Sequence, residues 1–157
     1  MKKIDLGQAL SLFANIGVIA GILLLVYELG QNRQMTEAQI RSASADQLTN
    51  ILFQDVNTPE MVDVLLKAES GEPLTRREEL LFTRRQSAFW RFRENVHYQY
   101  RNGLYDENEY LALRSVWVRS LNSDDAQRVD WCRRQRQDST SREFAAELSS
   151  LLETPCE

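Results

Sequence analysis

The chain has 157 residues, a formal net charge of −4, and 27% charged against 43% hydrophobic residues. That length suits one ordinary domain plus a short extra segment. The acidic balance argues against a nucleic-acid partner, and two cysteines are too few for a disulfide framework.

The first predicted element is the apolar run from Leu6 to Leu29, in which Glu28 is the one charged side chain. A helix rises about 1.5 Å per residue, so about 20 apolar residues cross a hydrocarbon core of about 30 Å. Met1-Lys2-Lys3 would suit a signal peptide, but the run exceeds a normal signal core and no small-x-small cleavage pattern follows it. A buried core helix is the third reading, and the run is long for that. An uncleaved membrane anchor over residues 1–30 is expected, with residues 31–157 as a helical soluble domain.

The anchor is not uniformly oily. At about 100° per residue, Gly7, Ser11, Ala14, Gly17, Gly21 and Glu28 share one side, flanked by Gln8 and Asn15. Gly17 and Gly21 form a Gly-x-x-x-Gly pair. Small residues let helix backbones approach in lipid, and an amide can hydrogen-bond across the contact. Ser11, Ala14, Asn15, Gly17 and Gly21 are therefore the expected association surface. An oligomeric pore lined by Gln8, Ser11 and Asn15 is a weaker alternative, because Ile22 and Leu25 would plug its other half.

Orientation turns on few charges. Lys2 and Lys3 lie before the span, Arg33 and Arg41 after it, so the positive-inside count is tied. Cys132 and Cys156 lack metal-ligand spacing and read as two free thiols, which favours a reducing compartment. A bacterial inner-membrane protein with a cytoplasmic domain is the resulting expectation.

Beyond the membrane the helix is expected to continue to about Gln54, with Gly30 as the place for a bend. Thr58 then caps a helix with Pro59 at its first position, stopping near Gly71. Thr75-Arg76-Arg77-Glu78 is a capping box that opens the longest soluble helix, ending near Asn102-Gly103. Asp106 to Glu109 opens the next. Asn122 or Ser123 caps a short helix through Val129 and Cys132. Thr140 to Glu143 reads as a second capping box, and that last helix puts Phe144, Leu148, Leu151 and Leu152 on one face before Pro155. No strand pattern occurs. The expected fold is all-α: one transmembrane helix extended into a long juxtamembrane helix, then a bundle of about five helices.

Candidate chemistry is sparse. Glu94-x-x-His97 has the spacing of di-metal carboxylate bundles. His97 is the single histidine, so such a centre would need other subunits, and a polar surface pair is the plainer reading. Trp90, Glu94, His97 and Tyr98, with Trp117, are the candidate ligand site. Aromatics and arginines interleave along the long helix, but Phe82, Phe89, Phe92 and Val96 fall at core spacing. Arg128, Arg133, Arg134 and Arg136 form a second basic cluster, able to touch anionic headgroups or simply to be solvated. No nucleotide, hydrolase or metalloprotease motif is present, so neither a catalytic residue, a metal nor a cofactor is implied.

Three stretches resemble a family of small uncharacterised bacterial membrane proteins. They are Asn15 to Gly17 through Tyr27 to Asn32; Pro59-Glu60 through Lys67-Ala68 and Gly71-Glu72; and Glu94-Asn95 with Tyr98 to Tyr100 and Gly103-Leu104. After Leu121 such proteins tend to show paired tryptophans, where this chain has Asp130-Trp131-Cys132. The resemblance implies an N-terminal anchor, a helical soluble domain and a bacterial source, and carries over no activity. The expected function is non-enzymatic: a self-associating scaffold, or an accessory subunit beside other membrane proteins in the bilayer. A ligand- or metal-binding sensor or enzyme around Glu94 and His97 is the alternative.

Overall fold

The computed structural model describes residues 6–156. Expectations resting on Lys2, Lys3 and the Gln8 side chain lie outside what it describes. The protein is all-α, with no strand among the described residues. Its helices are α1 (Leu6–Asn57), α2 (Pro59–Glu69), α3 (Arg76–Arg101), α4 (Glu107–Ser123), α5 (Asp125–Arg136) and α6 (Arg142–Ser149). The chain divides into two units, residues 1–39 and residues 40–157.

The first unit is the leading part of α1. This helix is long and apolar enough to cross a membrane, and none of its most apolar window is buried. Phe13 and Leu23 are 72% and 64% exposed, which in water would leave a large apolar surface unmatched. The helix runs through Gly30 without interruption. A Cβ built on Gly17 or Gly21 meets nothing within 4 Å.

The second unit is a helical bundle. Its core holds Trp90, Phe92 and Val96 of α3, Tyr110, Trp117 and Leu121 of α4, Trp131 of α5, and Phe144 and Leu148 of α6. The end of α1 lays Leu48 and Ile51 against this core. Asp55 of α1 accepts from Arg85 Nε of α3 at 2.7 Å, with both side chains largely buried. Arg41 reaches Glu109 of α4 at 2.6 Å. Lys67 of α2 pairs with Glu78 of α3 at 2.5 Å. Lys67, with the Thr75 cap, holds the Glu78 carboxyl down at about 2.

Local chemistry explains the boundaries. Thr58 stands at the N-cap of α2 with Pro59 following, where a missing N–H costs nothing. The reciprocal capping box of Thr75 and Glu78 opens α3. Asp106 caps α4 by accepting from the Glu109 N–H. Gly71 and Gly103 adopt positive φ just beyond α2 and α3, where a side chain would be strained.

Four expectations change. The short fifth helix is capped by Asp124, which accepts from the Gln127 N–H, and not by Asn122 or Ser123, which belong to α4. The final helix starts one residue later than a Thr140 box requires, with Ser141 at its N-cap and no side-chain cap from it. That helix ends at Ser149, so Leu151 lies beyond it and is 39% exposed, and Pro155 is not what stops it. The stripe of α3 that enters the core includes Gln86, Trp90 and His97 beside Phe92 and Val96, while Phe82 and Phe89 are only half-buried.

The cysteines also differ from expectation. Cys132 and Cys156 form a disulfide, with Cα atoms 5.3 Å apart, and no cysteine is free. The bond closes a loop of 24 residues, a constraint on the unfolded chain of about 3 kcal/mol. It ties the C-terminal tail to α5 across the end of α6. With the thiols paired, the argument for a reducing compartment falls.

Candidate functional site

Two carboxylates organise the polar interior: Asp130, which is buried, and Glu147, which is half-buried. Asp130, on α5, is 4% exposed. It accepts from Trp90 Nε1 at 2.8 Å, from Arg134 Nε at 2.7 Å, and from Arg133. Arg134 also donates to Ser87 Oγ at 2.9 Å. Trp90 therefore links α3 to α5 twice, through this bond and through a tilted ring contact with Trp131 at 4.8 Å. Burial pushes the Asp130 carboxyl up, but its hydrogen bonds with Arg134 and Arg133 outweigh that and leave it below the usual range.

Glu147, on α6, gathers three elements. Its Oε1 accepts from Tyr110 OH at 2.9 Å and Arg114 Nη1 at 2.7 Å, both on α4. Its Oε2 lies 3.0 Å from His97 Nε2 of α3. Burial pushes Glu147 up, and the Arg114 and Tyr110 bonds bring it net below the usual carboxylate value. Burial first, and then the bond to Glu147, raise the Tyr110 phenol. The Tyr110 ring stacks on Tyr100 at 4.0 Å.

The expected ligand residues do not converge on one opening. Trp90 and His97 are core side chains, 3% and 2% exposed, and Trp117 is buried at 4%. Tyr98 faces solvent at 61% exposure. Glu94 and His97, although one helical turn apart, serve different partners. Glu94 accepts from Arg91 at 2.7 Å and from the Ser141 N–H at 2.5 Å, so it caps α6 from outside that helix. No group of His, Cys, Asp or Glu fit to hold a metal occurs among the described residues.

The arginines are mostly committed. Arg133 and Arg134 pair with Asp130, and Arg128 pairs with Asp125, so they do not form an unpaired basic face. Arg85 lies over Phe89, and Arg93 over Trp90 at 4.6 Å from the ring centroid. Burial and then the nearby Arg85 lower the Arg93 pKa to about 10.

Sequence reasoning missed Asp130 and Glu147 as hubs. A local signal existed for Asp130, since Arg133 and Arg134 follow at the three- and four-residue spacings that meet on a helix face. Glu147 had none, because its partners come from α3 and α4.

This arrangement ties helices together. The His97–Glu147 pair resembles an acid–base dyad, but the same carboxylate also accepts from Tyr110 and Arg114. The sequence matches no family model, no curated protein and no solved structure.

The same network sets an acid limit. Burial lowers the His97 pKa below its ordinary 6.5, against the pull of Glu147. The unfolded chain then binds the extra proton first, so stability is full above pH 6.5 and falls as pH drops below it. Asp130 and Glu147 lie below 3.8 and 4.5, so their contribution is present above those values and is lost as pH falls through the folded ones. Melting temperature should fall in two stages between about pH 8 and about pH 3. His97→Gln, which keeps a donor for Glu147, should remove the upper stage and spare the lower. A melting temperature flat across that range would refute this assignment.

Proposed function

We propose that this is a non-enzymatic, membrane-anchored helical protein that self-associates and serves as a scaffold or accessory subunit of a membrane complex. One observation carries the reading. Gly17 and Gly21 sit inside a helix with open space where a Cβ would go. A glycine in a helix interior costs about 1 kcal/mol relative to alanine. Nothing among the described residues needs that concession, whereas a second helix packed against this side in lipid does. Ser11, Ala14 and Asn15 extend the same surface. The soluble unit supports the reading from the other direction, since its buried polar groups join helices to one another.

The proposed location is a bacterial inner membrane, as the family resemblance suggests, with the soluble domain on the oxidising side. Support for that side is the Cys132–Cys156 bond, because such bonds persist in oxidising compartments. Lys2 and Lys3 before the span then fall on the cytoplasmic side and Arg33 and Arg41 on the other, an arrangement that the tied charge count permits.

One experiment reads both parts. Thiols are alkylated in intact cells, and the protein is extracted into nanodiscs for mass photometry and intact mass. The expected result is an oligomer whose two cysteines escaped the label. A monomer at every usable concentration would defeat the self-association, and doubly alkylated protein would defeat the orientation.

A further inference from the structure

The end of α1 presents a second surface, outside the membrane, that the bundle does not cover. Ser44, Leu48, Ile51 and Asp55 turn toward the bundle. About 120° around the helix, at 100° per residue, lies another line: Ser42, Ala45, Thr49, Leu52 and Val56. All five are exposed, Leu52 at 47% and Val56 at 75%. Their spacing alternates three and four residues, the repeat of a two-stranded coil seam. With Ser42, Thr49 and Val56 as a positions, Ala45 and Leu52 are d positions. β-Branched residues at a with Leu at d favour two parallel strands, as Thr49, Val56 and Leu52 provide.

We infer that this seam pairs with the same seam of a second copy, parallel and in register. The inference rests on the self-association proposed above and names its partner and register. Three observations favour a second copy over any other occupant. Two chains anchored by the same N-terminal helix enter a bilayer the same way round, so their juxtamembrane helices are parallel without further cost. The charges flanking the seam are complementary in that arrangement. Arg41 takes a g position and Asp46 the e position five residues on, which is the contact between strands of a parallel, in-register pair. Arg41 keeps a 71% exposed side chain while touching Glu109, and Asp46 has no ion-pair partner among the described residues. Finally, Phe53, 66% exposed and at the other e position, widens the apolar strip beside Leu52 and Val56.

The small residues at Ser42 and Ala45 make the near-membrane half of the seam narrow, so backbones approach closely there. The larger Leu52 and Val56 supply most of the apolar area at the far end. Such a seam is weak alone in solution. Confinement to a bilayer raises the effective concentration of the partner enough for it to form.

The test uses the full chain in liposomes at high lipid-to-protein ratio, with the native disulfide left intact. Ala45→Cys places a thiol on the seam and Gln47→Cys places one on an exposed flank. Both positions are exposed, so neither substitution disturbs the bundle. A short bismaleimide should yield covalent dimer from Ala45→Cys at least about tenfold faster than from Gln47→Cys. Asp46→Arg, added to Ala45→Cys, should lower that yield several-fold by placing like charges across the contact. Equal yields at 45 and 47, or no cross-link from protein that is oligomeric by mass, would overturn the pairing and leave self-association through the anchor standing. Protein monomeric by mass would overturn both.

Discussion

Asp130→Ala should be among the most destabilising single changes in the soluble unit. The substitution strands three donors at once. Trp90 Nε1 loses its acceptor in a core where the ring is 3% exposed. An unsatisfied buried donor costs about 1–3 kcal/mol. Arg134, with a side chain only 12% exposed, keeps Ser87 but loses its carboxylate. Breaking one side of a buried ion pair costs about 3–5 kcal/mol, because the remaining charge stays in the interior. Arg133 is 44% exposed and can turn to water, so it adds little. These costs overlap, and the expected loss is about 3–5 kcal/mol. Melting of the full chain in micelles should fall by about 10–20 °C. Asp130→Asn keeps an acceptor for Trp90 and should lie between the two. Asp125→Ala is the control. Its side chain is 86% exposed, and its pairing with Arg128 is worth less than about 1 kcal/mol. If the alanine variants at 130 and 125 melt together, the Asp130 carboxylate is not what joins α3 to α5.

The contrast between these two aspartates shows what the sequence could convey. Features set within a few residues were legible. Thr75 and Glu78 begin α3 because a threonine and a glutamate three apart satisfy each other's backbone N–H groups wherever they occur. Pro59 after Thr58 fixed the start of α2 for an equally local reason. The apolar length of α1 was readable because lipid demands little more than length and oiliness.

Features made in three dimensions were not legible. Trp90 and Asp130 are 40 residues apart, and Glu147 lies 50, 37 and 33 residues from His97, Tyr110 and Arg114. Nothing along the chain marks those pairs. Glu94 illustrates the resulting error. Its spacing to His97 suggested a shared ligand, yet Glu94 turns to the Ser141 N–H, 47 residues on, and His97 turns to Glu147. One helix face presented both residues, and two different neighbours claimed them. The disulfide was hidden in the same way, since a cysteine inside a helix and one near the chain end carry no sign of being neighbours until α6 folds back between them.

The largest effect on assembly should come from Gly21→Ile. In the anchor, hydrophobicity does not distinguish one helix face from another, because lipid tails match any apolar side chain. Shape does. A glycine lets a second backbone approach, and isoleucine at that point holds it off by a branched side chain. The single chain has room for the new atoms, since nothing lies within 4 Å of a Cβ at Gly21. Insertion should be unaffected, because isoleucine is among the residues a membrane span favours. Self-association measured by energy transfer between labelled full chains in liposomes should weaken at least about tenfold, or about 1.4 kcal/mol. Leu23→Ala removes apolar bulk from the opposite side, where the side chain is 64% exposed, and should leave association nearly unchanged. Gly17→Ile, one turn earlier, should repeat the effect of Gly21→Ile. If wild type, Gly21→Ile and Leu23→Ala associate equally, the small-residue side is not a contact, and any oligomer is held outside the membrane. In that case the covalent dimer through Ala45→Cys would persist in Gly21→Ile at the wild-type rate. A fall in both energy transfer and cross-linking would instead mean that contact within the bilayer brings the juxtamembrane helices together.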